Sequence, residues 1–146
     1  MQKIVNGRLL AVTALVSLLA ACTTTGGPGT GGNWSSIGET SNGNVRAYID
    51  KSSIVRSGNL VTFRDRKTVV KPDEERYVNT PVYKTAIGTW EMDCRNKTYR
   101  LTQLLLVDKS GKELVNQKYS AAELRPMQVM NGSITEKQYQ AVCGDK

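Results

Sequence analysis

The sequence contains no histidine among its 146 residues, and this absence excludes the commonest hydrolase designs. An imidazole is the usual general base of nucleophilic hydrolases and the commonest metal ligand of proteins. Carboxylate chemistry is the remaining option, but residues 73–75 are consecutive acids beside Pro72, a pattern typical of a solvated loop. We therefore predict no catalytic residue, no metal site and no cofactor, and a hydrolase or inhibitor module is the least favoured class.

The sequence also lacks an apolar run long enough for a membrane-spanning helix. Residues 9–21 form an apolar run of roughly 13 residues, whereas a spanning helix needs ~20. Lys3 and Arg8 form a short basic start before this run, so residues 1–21 are predicted to be a signal peptide that is removed. Its Leu-Ala-Ala ending, followed by Cys22, resembles the bacterial lipoprotein signal, which implies a lipid anchor on the Cys22 thiol. An ordinary signal peptide with an incidental cysteine is the alternative.

The segment after Cys22 predicts how the protein is attached. Thr23, rather than an aspartate, follows the cysteine, and this resembles the signal for passage to the outer membrane. Residues 23–32 consist only of Thr, Gly and Pro, so we predict a lipidated cysteine and a flexible tether over residues 22–32. Residues 33–146 have the usual size of one folded domain.

Cysteine is scarce, since the chain has three. If Cys22 carries lipid, Cys94 and Cys143 remain as an even pair in an oxidising compartment, and one disulfide bond between them is expected. Two free thiols are the alternative.

Acidic charge is also in deficit, with a formal net charge of +7 that falls by two, to +5, when Lys3 and Arg8 leave with the signal. This favours an anionic protein or glycan as partner, and for an exported protein we expect no nucleic acid. One basic cluster consists of Arg64, Arg66, Lys67 and Lys71. A second set mixes arginine and lysine with tyrosine, a composition typical of interfaces. These candidate partner-binding residues are Arg76, Tyr77, Tyr83, Lys84, Arg95, Lys97, Tyr99 and Arg100. A solvated strand face is the alternative for both.

Short β-branched and aromatic runs between Gly, Asn, Ser and Pro predict an antiparallel sheet. Six strands are predicted, over residues 33–40, 45–50, 60–70, 82–93, 97–107 and 112–119. Turns are expected at 41–44 and 109–112, and a helical turn over 50–54. Ser133 and Glu136 have capping-box spacing, so a helix should run from there to about Val142. The fold class is thus α+β, a six-stranded antiparallel β-sheet with a C-terminal helix that the disulfide ties to the sheet.

Residues 104–107 are apolar without alternation. This predicts a central strand covered on both faces, and we expect the helix to be the second cover.

Several motifs occur in an order that resembles the surface-adhesin protein E family of Gram-negative lipoproteins, over about residues 34–143. They are Ala47-Tyr48-Ile49-Asp50, Ser53-Ile54, Met92-Asp93-Cys94 and Tyr99-Arg100-Leu101-Thr102-Gln103, with a last cysteine in a terminal helix. The resemblance implies the fold described above, members that can form homodimers, and adhesion to host epithelial surfaces and extracellular-matrix proteins. It also implies a ligand region on the basic strand before the first disulfide cysteine, here about residues 76–100. The chain departs from that pattern with Thr85, Ala86 and Ile87 in place of basic residues.

We therefore predict a non-enzymatic outer-membrane lipoprotein, most simply an adhesin at the cell surface that binds a host protein or anionic glycan. The alternative is a periplasm-facing lipoprotein that acts as a docking module in envelope assembly or stress tolerance.

Overall fold

The computed structural model describes residues 29–144, so the predicted signal peptide, Cys22 and most of the predicted tether lie outside the described residues. The strands are β1 (Trp34–Glu39), β2 (Val45–Ser57), β3 (Leu60–Val69), β4 (Thr85–Asp93), β5 (Thr98–Val107), β6 (Glu113–Lys118) and β7 (Met127–Gln128). One α-helix, α1 (Ile134–Cys143), follows them, and a 3-10 turn covers Pro72–Glu74. Within the described range, no helix is long and apolar enough to cross a membrane.

Strands β1 to β6 lie side by side in chain order, and each pair is antiparallel. The predicted six-stranded antiparallel sheet is confirmed. The short strand β7 was not predicted, and it pairs with Thr98 and Tyr99 at the start of β5.

The predicted helical turn over residues 50–54 is wrong, because β2 continues through this segment with an irregularity. The pairing of β2 with β3 shifts between Asp50 and Val55. Ser53 Oγ donates a hydrogen bond of 2.7 Å to the Asp50 carbonyl and accepts one of 2.8 Å from the Arg64 N–H. The side-chain hydroxyl thus replaces a missing backbone partner in a β-bulge.

Helix α1 begins as the sequence predicts. Ser133 Oγ accepts a 3.1 Å hydrogen bond from the Glu136 N–H, and Glu136 Oε2 accepts one of 2.7 Å from the Gly132 N–H. Side chains therefore satisfy one backbone donor of the first turn and one just before the N-cap. At the other end of α1, Cys143 forms the predicted disulfide with Cys94, which follows β4.

The helix packs on one side of the sheet, which we call the helix face. It lies over β1, β2 and β3. There Val142 is fully buried in a cluster with the buried side chains of Ile49, Val61, Phe63 and Met92. Alternation along β2 places Val45, Ala47 and Ile49 on this face, as expected from the sequence.

The opposite side of the sheet, which carries Arg64 and Arg66, is called the arginine face. The expected helix cover over residues 104–107 was wrong, because α1 packs over β1, β2 and β3. Leu105 and Val107 are buried with Ile87 on the arginine face. Trp34 of β1 packs against this cluster, although β2 and β3 lie between β1 and β4. The sheet must therefore curl toward the arginine face, in keeping with the twist of antiparallel sheets.

Candidate binding surfaces

The candidate partner-binding residues form two groups at opposite ends of β4. Arg76, Tyr77, Tyr83 and Lys84 precede the strand, whereas Arg95, Lys97, Tyr99 and Arg100 follow it. β4 has nine residues, and a strand rises about 3.4 Å per residue. The two groups are therefore about 30 Å apart, and they make two surfaces instead of one.

The first group is held together by internal contacts. The rings of Tyr77 and Tyr83 are stacked, with centroids 5.9 Å apart, and Lys84 Nζ donates a 3.0 Å hydrogen bond to the Val70 carbonyl. Burial raises the pKa of the Tyr83 hydroxyl. The neighbouring cavity of about 180 Å³ contains Asp73 and Asp108 as well as two lysines, so the charges of its walls balance.

The second group borders a larger cavity beside the disulfide, which we call the disulfide pocket. It has a volume of about 470 Å³ and is lined by Arg56, Gly58, Asn59, Cys94, Arg95, Tyr139 and Cys143. Its lining includes two arginines and no acid. Lys97 adds a third positive charge, since its Nζ lies 5.6 Å from the centroid of the Tyr139 ring.

The wall of the disulfide pocket is fixed from both sides. Tyr139 OH donates a 2.9 Å hydrogen bond to the Cys94 carbonyl, and the disulfide joins Cys94 to Cys143 behind it. An anionic group that enters the pocket would meet cations on a preorganised surface, which lowers the entropic cost of binding.

Asp93 is the acid nearest to Arg95 in the chain, but its carboxylate accepts hydrogen bonds from the turn between β4 and β5. Asp93 Oδ1 accepts hydrogen bonds from the Arg95 N–H at 2.9 Å and the Asn96 N–H at 3.0 Å. The hydrogen bonds from Asn96 hold the pKa of Asp93 below its usual value. Among residues 29–144, the ion pairs include neither Arg56 nor Arg95, although the charge of Arg95 also helps to lower the pKa of Asp93.

Tyr99 and Arg100 contribute to the sheet more than to the pocket. The rings of Tyr99 and Trp90 are 5.5 Å apart, and Arg100 Nη2 lies 3.4 Å from Glu91 Oε1. Of the second group, Arg95 and Lys97 are therefore the exposed cations.

Sequence reasoning missed Arg56 and Tyr139 as lining residues of the disulfide pocket. Arg56 lies 39 positions before Arg95 in the chain, and Tyr139 lies 44 positions after it. The expected disulfide was the signal that could have found Tyr139, because it places the end of the helix beside Cys94 and its neighbour Arg95.

The arginine face carries a second group that sequence reasoning only half identified. The Arg66 guanidinium lies 4.8 Å from the ring centroid of Trp34 and 4.6 Å from that of Tyr48. Arg64 lies 5.3 Å from the Trp34 centroid, and its Nη1 forms a 3.3 Å ion pair with Asp50. The two arginines were identified as a basic cluster, but their aromatic partners were not.

Comparison with known proteins gives consistent findings. The sequence model of the family described as Surface-adhesin protein E matches residues 34–144. Two solved structures of Haemophilus influenzae protein E share the fold. Crystal form II has 18% sequence identity and a TM-score of 0.52, and the match covers 75% of this chain and 87% of the protein E chain. The Se-Met form has 16% identity and a TM-score of 0.51, and the match covers 82% of this chain and 92% of the protein E chain. Comparison with curated protein sequences gives no significant match.

Proposed function

The chain belongs to the surface-adhesin protein E family, and from this premise we propose that it is an outer-membrane lipoprotein that binds host cell-surface or extracellular-matrix macromolecules. The observation that carries the proposal is the family match, which extends over the whole sheet and helix. The predicted signal peptide, the lipoprotein-like cysteine and the tether of Thr, Gly and Pro support anchoring through acylated Cys22.

The disulfide pocket is the surface best suited to an anionic host ligand. Arg56 and Arg95 line it without an acidic neighbour in the lining, and Lys97 lies at its edge. Guanidinium groups donate paired hydrogen bonds to sulfate and carboxylate groups, which gives both charge and geometric complementarity. The proposed ligand class is therefore an acidic protein segment or a sulfated glycan.

Surface exposure is the first test. Protease treatment of intact cells should degrade the domain, and deletion of the gene should reduce attachment of the cells to epithelial monolayers. A domain that stays protected until the outer membrane is opened contradicts the adhesin proposal and favours the periplasm-facing alternative. Mass analysis of the purified protein should show diacylglycerol on Cys22, and an unmodified thiol would contradict the anchor.

The binding site has its own test. Arg56→Gln combined with Arg95→Gln should weaken binding of the chain to immobilised heparin by at least about tenfold, since hydrogen bonds to charged groups are worth about 1.5–3 kcal/mol each. The matched control is Arg46→Gln combined with Lys109→Gln, which removes the same charge from exposed positions outside the pocket. An equal loss in the control would show that net charge, not the disulfide pocket, is responsible.

A further inference from the structure

Within residues 29–144, Arg66 is a cation that the fold holds in place without an anionic partner. Its guanidinium lies over the rings of Trp34 and Tyr48. None of the ion pairs within the described range includes Arg66. Residues 1–28 contain no Asp or Glu at all, so the preceding segment cannot neutralise it either. A half-buried, uncompensated charge costs free energy, and it is the kind of feature that marks a binding site.

The stacking also leaves the right part of the guanidinium group available. Its central carbon lies over two aromatic rings, whereas a guanidinium donates hydrogen bonds from its edge. The Nε atoms of Arg66 and of its neighbour Arg64 are buried and have no hydrogen-bond partner within residues 29–144. Arg64 and Arg66 are two positions apart on β3, so both side chains lie on the arginine face. Asp50 and the Gly29 carbonyl engage the two Nη atoms of Arg64, so Arg66 is the arginine whose guanidinium edge is suited to an oxyanion such as phosphate.

The N-terminal segment crosses this same face. The Gly29 carbonyl accepts a hydrogen bond from Arg64 Nη2, and the Thr30 carbonyl accepts one of 3.2 Å from Trp34 Nε1. The Asn33 N–H donates to Asp50 Oδ1 at 3.0 Å. Residues 29–33, which include the end of the predicted tether, are therefore bound beside the arginines.

This attachment limits the distance between the arginine face and the anchor. Gly29 follows Cys22 by seven positions, and a chain spans at most about 3.6 Å per residue. The lipid anchor is therefore at most about 25 Å from the carbonyl that Arg64 binds. Phosphate groups of the leaflet that holds the anchor are within reach of the arginine face.

We propose that the arginine face docks on the lipid phosphate groups of the leaflet in which acylated Cys22 is inserted, with Arg66 as the main contact. The inference rests on the anchoring part of the proposed function. Docking in this orientation turns the helix face, with Tyr139 and Cys143 of the disulfide pocket, away from the lipid. The membrane would thus present the pocket to a partner.

The test uses the chain without residues 1–21 and with Cys22→Ser, so that no acyl chain contributes to binding. This chain, with all other side chains as in the wild type, should bind vesicles that contain phosphatidylglycerol. It should not bind vesicles of phosphatidylcholine alone. Arg66→Gln should weaken this binding about fivefold, the usual effect of one basic residue at an anionic surface. Lys137→Gln is the matched control, because Lys137 is exposed on α1, on the helix face and outside the disulfide pocket. This variant loses the same charge and should leave vesicle binding unchanged.

Several results would overturn the proposal: no preference for anionic vesicles, an equal loss in Lys137→Gln, or binding of inorganic phosphate at Arg66 without vesicle binding. A dimer that Arg66→Gln dissociates, again without vesicle binding, would assign the face to a second copy of the chain. Thermal unfolding of Arg66→Gln checks that the variant is folded. Because the assayed chain has no acyl group, the outcome of the vesicle test does not depend on the lipid anchor or on host binding. The docking proposal and the proposed function can therefore fail separately.

Discussion

Gln138 Nε2 donates a 2.6 Å hydrogen bond to Asp65 Oδ2 and so joins α1 to β3 across 73 positions of sequence. Both residues are 1% exposed. Asp65 Oδ1 also accepts hydrogen bonds from Trp90 Nε1 at 2.7 Å and from the Gly88 N–H at 3.1 Å, and Lys67 Nζ pairs with the carboxylate. A buried carboxylate is tolerated here because both oxygens have donors and a cation lies beside it.

Replacement of Gln138 should therefore destabilise the domain. Gln138→Leu keeps a similar volume but removes one donor from the buried Asp65 carboxylate, and we expect a loss of about 1–3 kcal/mol in the free energy of unfolding. Urea unfolding measures it. Gln140→Leu is the control on the same helix, since Gln140 is exposed and surface changes usually stay within about 0.5 kcal/mol. Equal effects of the two variants would argue against the Asp65 contact.

Gly88 lies against the same carboxylate and should not accept a side chain. A Cβ at this position would be 2.5 Å from Trp90 Nε1 and 2.8 Å from Asp65 Oδ1. Gly88→Ala must therefore displace the Trp90 hydrogen bond, and overpacking of this kind costs about 1–3 kcal/mol. Thermal unfolding should show the loss, and near-UV circular dichroism should show a changed Trp90 environment. Gly31→Ala, which meets nothing within 4 Å, should behave as wild type.

The fold could be predicted from the sequence because its signals are local. Alternation of Val45, Ala47 and Ile49 with polar residues identifies a strand with one buried face. The capping pair Ser133 and Glu136 marks the start of α1. Neither signal depends on what the element packs against.

The parts that were predicted wrongly depend on long-range packing. The hydrogen bond from Ser53 to the Asp50 carbonyl spans three residues, as in a helical turn, yet β3 pairs with the segment on both sides of it. The apolar run over residues 104–107 predicts burial but not its cause, because Leu105 and Val107 pack with Ile87 and Trp34 and not with the helix. For the same reason, sequence proximity grouped Tyr83 with Arg95, although β4 separates them.

Reduction of the disulfide should destabilise the domain more than any single side-chain change above. Cys94 and Cys143 are 49 positions apart, and closure of a loop of this length restrains the unfolded chain by about 4 kcal/mol in the entropic model. The wild-type chain should therefore unfold at lower urea concentration when a reductant is present. The double variant Cys94→Ser, Cys143→Ser should be as unstable as the reduced protein and insensitive to reductant. A double variant as stable as the oxidised protein would contradict the prediction.

Asp50 should make the stability of the domain sensitive to acid. Burial alone raises the pKa of this carboxyl, but hydrogen bonds from Ser52 and from the Asn33 N–H, together with the charge of Arg64, hold its pKa below the ordinary value of 3.8. A carboxyl whose folded pKa is depressed stabilises the fold at pH values above the unfolded pKa. That contribution is lost as the pH falls through the folded pKa.

Asp50→Asn should therefore cost about 1–3 kcal/mol at pH 7, because Arg64 loses its charged partner. The difference from wild type should shrink as the pH falls below 3.8, since the wild-type carboxyl is then protonated as well. Urea unfolding at a series of pH values measures both free energies. Asp73→Asn, in the exposed Pro72–Glu74 turn, is the control and should keep the pH dependence of wild type. A difference between wild type and Asp50→Asn that stays constant from pH 7 to pH 2 would show that the Asp50 charge does not stabilise the fold, and that only its hydrogen bonds do.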